Sequence, residues 1–171
     1  MVAGLWAALA VASGGCGYRA VYGQPAGAPI SVGIGQMLVP EPEVAQAALR
    51  GARAELAAAG RLSAGAAFPH LALDLLRVDE VSRAIHVQLG QPVAGGMGVA
   101  VVVRGRLLVA AEQESELDTG DVRRATQLTG DADPRVDSAA HDQASRAAAE
   151  RAGRAVARIA LGIPEPADEA P

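Results

Sequence analysis

The stretch that decides the fold is residues 99–111, Val-Ala-Val-Val-Val-Arg-Gly-Arg-Leu-Leu-Val-Ala-Ala. Its run of apolar residues predicts a strand. Because side chains two residues apart point to the same side of a strand, Arg104 and Arg106 are predicted to share one face of the sheet.

A second apolar ribbon precedes this strand. Residues 70–76 and 81–89 alternate with the period of a strand and form one long or interrupted element. The connection at 90–98 is rich in glycine and contains Pro92, which favours a turn. The two ribbons are therefore predicted to pair as an antiparallel hairpin.

Two helices and two more strands complete the pattern. Residues 30–37 alternate apolar with small or polar side chains and predict the first strand. Apolar residues then recur at helical spacing after Pro42, and Gly60 is expected to end that helix. The first helix is predicted at 42–59, before the two ribbons. After the ribbons, an acidic connection at 112–121 leads to a further strand at 122–128. The last helix is predicted at 139–161, with Ser138 as its N-cap and Gly162 at its end.

This order of elements predicts an α+β fold. It is a two-layer sandwich, β-α-β-β-(β)-α, in which two helices cover one face of an antiparallel or mixed sheet. The other face is left for solvent or a partner. Half of the chain is apolar but only 2% is aromatic. The interior must therefore be built from Ala, Leu, Val and Ile, which bury less area per side chain than rings do.

The N-terminal residues predict a lipoprotein signal. Residues 2–13 are mostly apolar, and they are too short for a spanning helix, which needs about 20 residues. Small residues at 13–15 precede Cys16, the single cysteine of the chain. We expect cleavage before Cys16 and acyl chains on its thiol that hold the chain at a membrane. The alternative is an ordinary secretory signal with an incidental thiol.

The predicted organisation has four parts. Residues 1–15 are the signal peptide, and the glycine- and proline-containing segment 16–29 is a lipidated, flexible tether. Residues 30–163 form a single α+β domain, and 164–171 form a disordered tail. About 156 residues after the signal suit one hydrophobic core rather than two.

Charge and motifs exclude several classes of function. The net charge of −4 argues against a nucleic-acid partner. No nucleophile elbow, phosphate loop or dinucleotide fingerprint is present, and His70, His86 and His141 are not at metal-ligand spacing. Alternating acidic residues in 112–121 are read as a solvated face rather than a calcium site. We therefore expect no enzymatic activity, no metal and no cofactor.

Arg104 and Arg106 are the candidate ligand-binding residues. Two guanidinium groups on one strand face can hold a phosphate or a carboxylate through paired hydrogen bonds. The alternative is that both arginines simply solubilise the outer face of the sheet.

The mature N-terminus resembles that of the LPS-assembly lipoproteins of the LptE family. The likeness begins at Cys16-Gly17-Tyr18-Arg19, and it continues through the first strand at 30–34, the helix segment 48–56 and its exit at 60–62. The hairpin and the alanine-rich last helix follow in the family's order.

The resemblance implies a lipid-anchored protein on the periplasmic side of the outer membrane. There it would act as plug and assembly factor inside an LptD-like β-barrel and help insert lipopolysaccharide into the outer leaflet. Arg104 and Arg106 would then be placed to contact lipopolysaccharide phosphates. Gly17 follows the acylated residue where an Asp would resemble an inner-membrane retention signal, so outer-membrane sorting is expected.

Two other classes of function stay open. The chain could be an auxiliary outer-membrane lipoprotein of a lipid-transport ABC system, or an activator of a cell-wall synthase. An enzyme that depends on one of the three histidines is a more distant alternative.

Overall fold

The chain folds as a sheet layer covered on one face by two helices, as predicted. The computed structural model describes residues 27–82, 86–88, 91–93, 97–111, 115–128 and 134–164, without the side chains of 82–96 and 129–137. In chain order the elements are β1 (Ser31–Met37), α1 (Pro42–Ala58), β2 (His70–Ser82), β3 (His86–Gln88), β4 (Gln91–Val93), β5 (Met97–Leu108), β6 (Leu117–Gln127) and α2 (Pro134–Ala160).

The main sheet has four strands in the order β1-β2-β5-β6. β1 runs parallel to β2, and the other neighbours are antiparallel. His70 pairs with Leu108 at one end of the β2–β5 ladder and Ser82 pairs with Met97 at the other, so the predicted hairpin is confirmed. Its distal part was predicted wrongly, because β3 and β4 form a separate two-stranded sheet where a strand end and a turn were expected.

Helix α1 has the expected boundaries. Pro42 lies in its first turn, where the missing N–H removes no helical hydrogen bond. At the other end Gly60 adopts a φ of 65°. The Arg61 N–H donates to the Leu56 carbonyl (2.8 Å) and the Gly60 N–H donates to the Ala57 carbonyl (2.9 Å). These two bonds form a Schellman motif, which satisfies carbonyls that the helix end leaves open.

The core lies between the helices and the sheet, and its helix side is built from small residues. Gly51 of α1 lies against the backbone of Glu150, and Gly153 of α2 lies against the backbone of Ala48. A methyl group at either glycine would overlap a carbonyl oxygen of the other helix. Alanines and glycines therefore bring the two helices into backbone contact, which compensates for the scarcity of large side chains. The sheet contributes the buried side chains of Val32, Leu71, Leu73, Leu75, Val101, Val103 and Val122 to this core.

Two predicted boundaries were wrong. Helix α2 begins at Pro134 and not near Ala139, so Ser138 lies inside the helix and does not cap it. Proline suits a first turn, which explains the earlier start. Strand β6 begins at Leu117 and not at Val122. The acidic residues Asp118 and Asp121, expected in a connection, lie in this strand.

Two backbone carbonyls on the outer edge of β6 accept hydrogen bonds from arginine side chains. The Leu128 N–H donates to the Met97 carbonyl (2.8 Å) of β5. Backbone groups alternate in direction along a strand, so the carbonyls of Arg123 and Ala125 point away from β5, toward the open edge of the sheet. Arg124 Nη1 donates to the Arg123 carbonyl (2.7 Å), and Arg151 Nη2 donates to the Ala125 carbonyl (3.0 Å). Guanidinium groups therefore take the acceptors that another strand would use.

Candidate functional site

Arg104 and Arg106 lie together on the open face of the sheet, the face away from the helices. Gly105 lies between them, and the position that its side chain would take faces α2. A methyl group there would overlap the side chain of Val156. Its two neighbours on β5 therefore point to the opposite side. The sequence correctly predicted that the two arginines share a face.

Arg104 is bound by Asp118 of β6. Its Nε lies 2.8 Å from Asp118 Oδ1 and 3.0 Å from Oδ2, and its Nη2 also donates to Oδ2. The Gly120 N–H donates to the same carboxylate at 2.9 Å. Both hydrogen bonds favour the ionised carboxylate and lower the pKa of Asp118 to about 2. The bond from Arg104 has the larger effect, and the bond from Gly120 the smaller. The same hydrogen bond raises the pKa of Arg104.

Arg106 is bound by Asp74 of β2. Nε and Nη2 of Arg106 lie 2.8 and 3.2 Å from the two carboxylate oxygens. Asp74 also accepts the backbone N–H of Gln36 at 2.7 Å, and its side chain is only 5% exposed. Gly35 on β1 makes room for this carboxylate, since a methyl group at position 35 would overlap Asp74 Oδ1. A buried carboxylate is thus stabilised by a paired guanidinium and a backbone donor.

The four charges form two pairs along one face. A shallow cavity of about 270 Å³ opens beside them, lined by Gln36, Asp74, Leu76, Arg104 and Arg106. The hydrogen bonds of the two pairs are made by Nε and Nη2 of each arginine and not by Nη1. Two positive and two negative groups cancel, so an anion in this cavity would compete with the chain's own carboxylates.

The fold is shared with a crystal structure of a candidate lipoprotein from Caulobacter crescentus CB15. The TM-score is 0.53 and the sequence identity 17%, over 78% of this chain and 88% of that chain. A minor lipoprotein from Acinetobacter baumannii aligns with a TM-score of 0.47 and 9% identity, over 78% of this chain and 92% of that chain. No family model matches the sequence, and no curated protein matches it. At 17% identity the first likeness is one of fold.

Sequence reasoning found the arginines but missed their carboxylate partners. One signal was available: Asp74 is a charged residue within the apolar part of β2, and its sequence neighbours Leu73 and Leu75 are buried. A charge at such a position needs a counter-charge on the same face of an adjacent strand. Asp118 gave no comparable signal because it was assigned to a connection.

The histidines with described side chains, His70 and His141, make no hydrogen bond to these ion pairs. Nδ1 of His70 lies 2.7 Å from Oγ of Ser31, which is 2% exposed. His141 lies in α2, where its carbonyl accepts the Ser145 hydroxyl at 2.9 Å. His86 belongs to β3, where side chains are not described. Among the described side chains, no three His, Cys, Asp or Glu residues are grouped as metal ligands would be.

The predicted acylation site lies outside the described residues. Cys16 precedes Gly27, the first residue that the structure describes. In the ranges that are described, neither helix has the length and apolar character that a bilayer crossing requires.

Proposed function

We propose that this chain is an outer-membrane lipoprotein, acylated at Cys16, that acts as plug and assembly factor of an LptD-like lipopolysaccharide translocon. The observation that carries the proposal is a two-layer β-α-β-β-β-α domain, beginning with β1 at Ser31, in a chain that carries Cys16-Gly17-Tyr18-Arg19. The domain shares its fold with the Caulobacter candidate lipoprotein, which supports the anchored class of protein.

The surface of the domain is compatible with a role inside a barrel. The open face of the sheet carries the arginines Arg104 and Arg106, and both are paired with carboxylates of the chain rather than left as a strong positive field. Such a face can lie against a hydrated barrel wall without a large electrostatic penalty. The opposite face is covered by α1 and α2, which bury the core within the chain.

Affinity purification from the source bacterium tests the proposal. The tagged chain, extracted in a mild detergent, is expected to copurify with a large outer-membrane β-barrel, and its N-terminal peptide should carry acyl chains on Cys16. Depletion should reduce surface lipopolysaccharide while peptidoglycan composition stays normal. A monomer without a barrel, or altered peptidoglycan with normal lipopolysaccharide, would contradict the proposal.

Two variants serve as controls for this experiment. Cys16→Ser removes the acylated sulfur and should abolish membrane attachment and barrel recovery. Gly17→Asp keeps the sulfur but introduces the residue that resembles an inner-membrane retention signal. That variant should remain acylated and anchored, and it should lose the barrel only if outer-membrane sorting is needed to meet it.

The ligand role of the arginine pair is tested at Arg104. Arg106 also neutralises the buried Asp74, so its removal confounds binding with stability. Arg104→Ala is expected to weaken lipopolysaccharide binding, and Arg104→Ala/Arg106→Ala to weaken it further. Arg123→Ala is the matched control, because it removes an exposed arginine that lies on β6 and on the same open face of the sheet. Equal binding by Arg104→Ala, Arg123→Ala and the unmodified chain would leave the pair as surface charges.

A further inference from the structure

We infer that the end of the domain nearest the acylated cysteine rests on the lipid surface through three exposed apolar side chains, Leu62, Phe68 and Val109. This inference rests on the anchored part of the proposed function. It adds a second membrane contact, made by the folded domain itself. We call these three residues the anchor-end patch.

The three residues lie at one end of the sheet. Leu62 belongs to a parallel bridge with Ile30, just before β1. The Phe68 ring stands edge-on to His70, with ring centroids 6.5 Å apart. Val109 directly follows Leu108, which pairs with His70. Neighbouring backbone segments therefore present all three side chains at the same end.

Each member of the patch is exposed despite its apolar character. Leu62, Phe68 and Val109 are 37%, 44% and 42% exposed. Phe68 is also the only phenylalanine of the chain, whose aromatic residues amount to 2%. An aromatic ring left at the surface, with exposed aliphatic side chains at the same end of the sheet, has the composition of an interfacial membrane contact.

The position of the anchor selects lipid as the occupant. The chain enters the domain at this end, where the Ile30 N–H donates to the Arg61 carbonyl (2.6 Å). Ten residues, 17–26, separate Cys16 from Gly27. Even a fully extended chain of that length spans no more than about 40 Å. An acylated Cys16 would thus hold this end near the bilayer at high effective concentration, so a weak contact suffices.

The charge at the entry point fits a phospholipid headgroup region. Nε of Arg61 donates to the Ala28 carbonyl at 2.9 Å, and its guanidinium lies against Gly27. A cation is therefore fixed where the chain would meet lipid phosphates.

Exposed apolar residues also occur at the opposite end, and they provide a control. Met97 is 55% exposed and begins β5, whereas Leu108 ends that strand. Twelve residues of strand place these two ends roughly 35 Å apart. If exposure alone drove membrane contact, both ends would bind lipid. If the anchor selects the end, only the anchor-end patch should.

Tryptophan fluorescence of the full acylated chain tests the inference. The single native tryptophan is Trp6, inside the predicted signal peptide. Phe68→Trp and Met97→Trp therefore each give a processed chain with one reporter. The proteins are reconstituted in vesicles of phosphatidylethanolamine and phosphatidylglycerol that contain a phosphatidylcholine brominated on its acyl chains. The Phe68→Trp chain should lose most of its emission relative to unbrominated vesicles, and the Met97→Trp chain should not.

A third variant tests whether the neighbouring side chains hold the reporter in lipid. Leu62→Ser/Val109→Ser, added to the Phe68→Trp chain, should restore much of the lost emission with unchanged circular dichroism. Equal quenching of the Phe68→Trp and Met97→Trp chains, or no quenching of the Phe68→Trp chain, would overturn the inference. A blue-shifted but unquenched reporter at position 68 would mean that protein covers the patch, which also overturns it.

The mass of the processed N-terminus separates the two proposals. A bare sulfur on Cys16 defeats both the anchored function and the lipid contact of the patch. An acylated Phe68→Trp chain whose emission is not quenched defeats only the lipid contact.

Discussion

The two faces of the sheet are stabilised in different ways. On the helix-covered side, Gly51 and Gly153 bring the backbones of the two helices into contact, and a backbone cannot rotate aside as a side chain can. The open face is held by the pairs Arg106–Asp74 and Arg104–Asp118, in which both arginines are partly exposed and Asp74 is buried. A close-packed contact responds to a single methyl group, whereas water can partly screen an ion pair whose arginine is exposed. Substitutions on the two faces should therefore differ in size.

The largest loss of stability is expected from Gly153→Ala. The added methyl group would overlap the Ala48 carbonyl oxygen, so the helices must separate along their crossing. Overpacking of this kind costs about 3 kcal/mol. Urea denaturation followed by circular dichroism measures it. Gly65→Ala is the matched control, because nothing lies within 4 Å of its added methyl group. Equal stability of the two variants would show that the crossing is not close-packed.

An intermediate effect is expected from Arg106→Ala. It leaves the Asp74 carboxylate, 5% exposed, with the Gln36 N–H but without its counter-charge. Because Arg106 itself is 36% exposed, water can partly replace it, and we expect a loss of about 2 kcal/mol in the free energy of unfolding, measured by urea denaturation.

A double-mutant cycle separates the pair from its parts. Arg106→Ala/Asp74→Asn should be more stable than Arg106→Ala alone, because the buried charge is then gone. If the two single losses simply add, the ion pair contributes nothing and the contrast between the faces is larger than proposed.

The smallest effect is the pH dependence of Asp118. Its pKa is lowered from 3.8 to about 2 in the folded chain. The ionised carboxylate therefore stabilises the fold at pH values above 3.8, the pKa of the unfolded chain. That contribution is lost as the pH falls from about 4 to about 2. The Tm of the unmodified chain should fall more steeply over this interval than the Tm of Asp118→Asn. Parallel curves would mean that the half-exposed pair is fully screened.

Much of the fold could be predicted because its signals are local. The alternation of Leu71, Leu73 and Leu75 fixes one face of β2, and Pro42 and Gly60 fix the ends of α1. Each depends on residues close in sequence. The start of α2 was missed because Ser138 and Pro134 are both acceptable helix starts, and local chemistry does not choose between them.

The ion pairs could not be predicted because they depend on register. In the ladder, Arg104 lies opposite Asp74 and Asp121, yet it bonds Asp118. Arg106 lies opposite Asp118 and bonds Asp74 instead. Both bonds are diagonal. The bond of Arg104 to Asp118 also crosses the β5–β6 ladder where its pairing is irregular, between Arg104 and Arg106, and no residue pattern predicts that irregularity.

The capped border of β6 limits how the molecule can associate with itself. An uncovered strand border is a template onto which a neighbouring copy can add its own strand, and repeated addition leads to fibres. Here Arg124 and Arg151 fill the carbonyl acceptors of Arg123 and Ala125 with side-chain donors of the same molecule. An incoming strand would have to displace two guanidinium groups to reach these two carbonyls. Crowding many copies together should therefore disfavour strand addition along this part of β6.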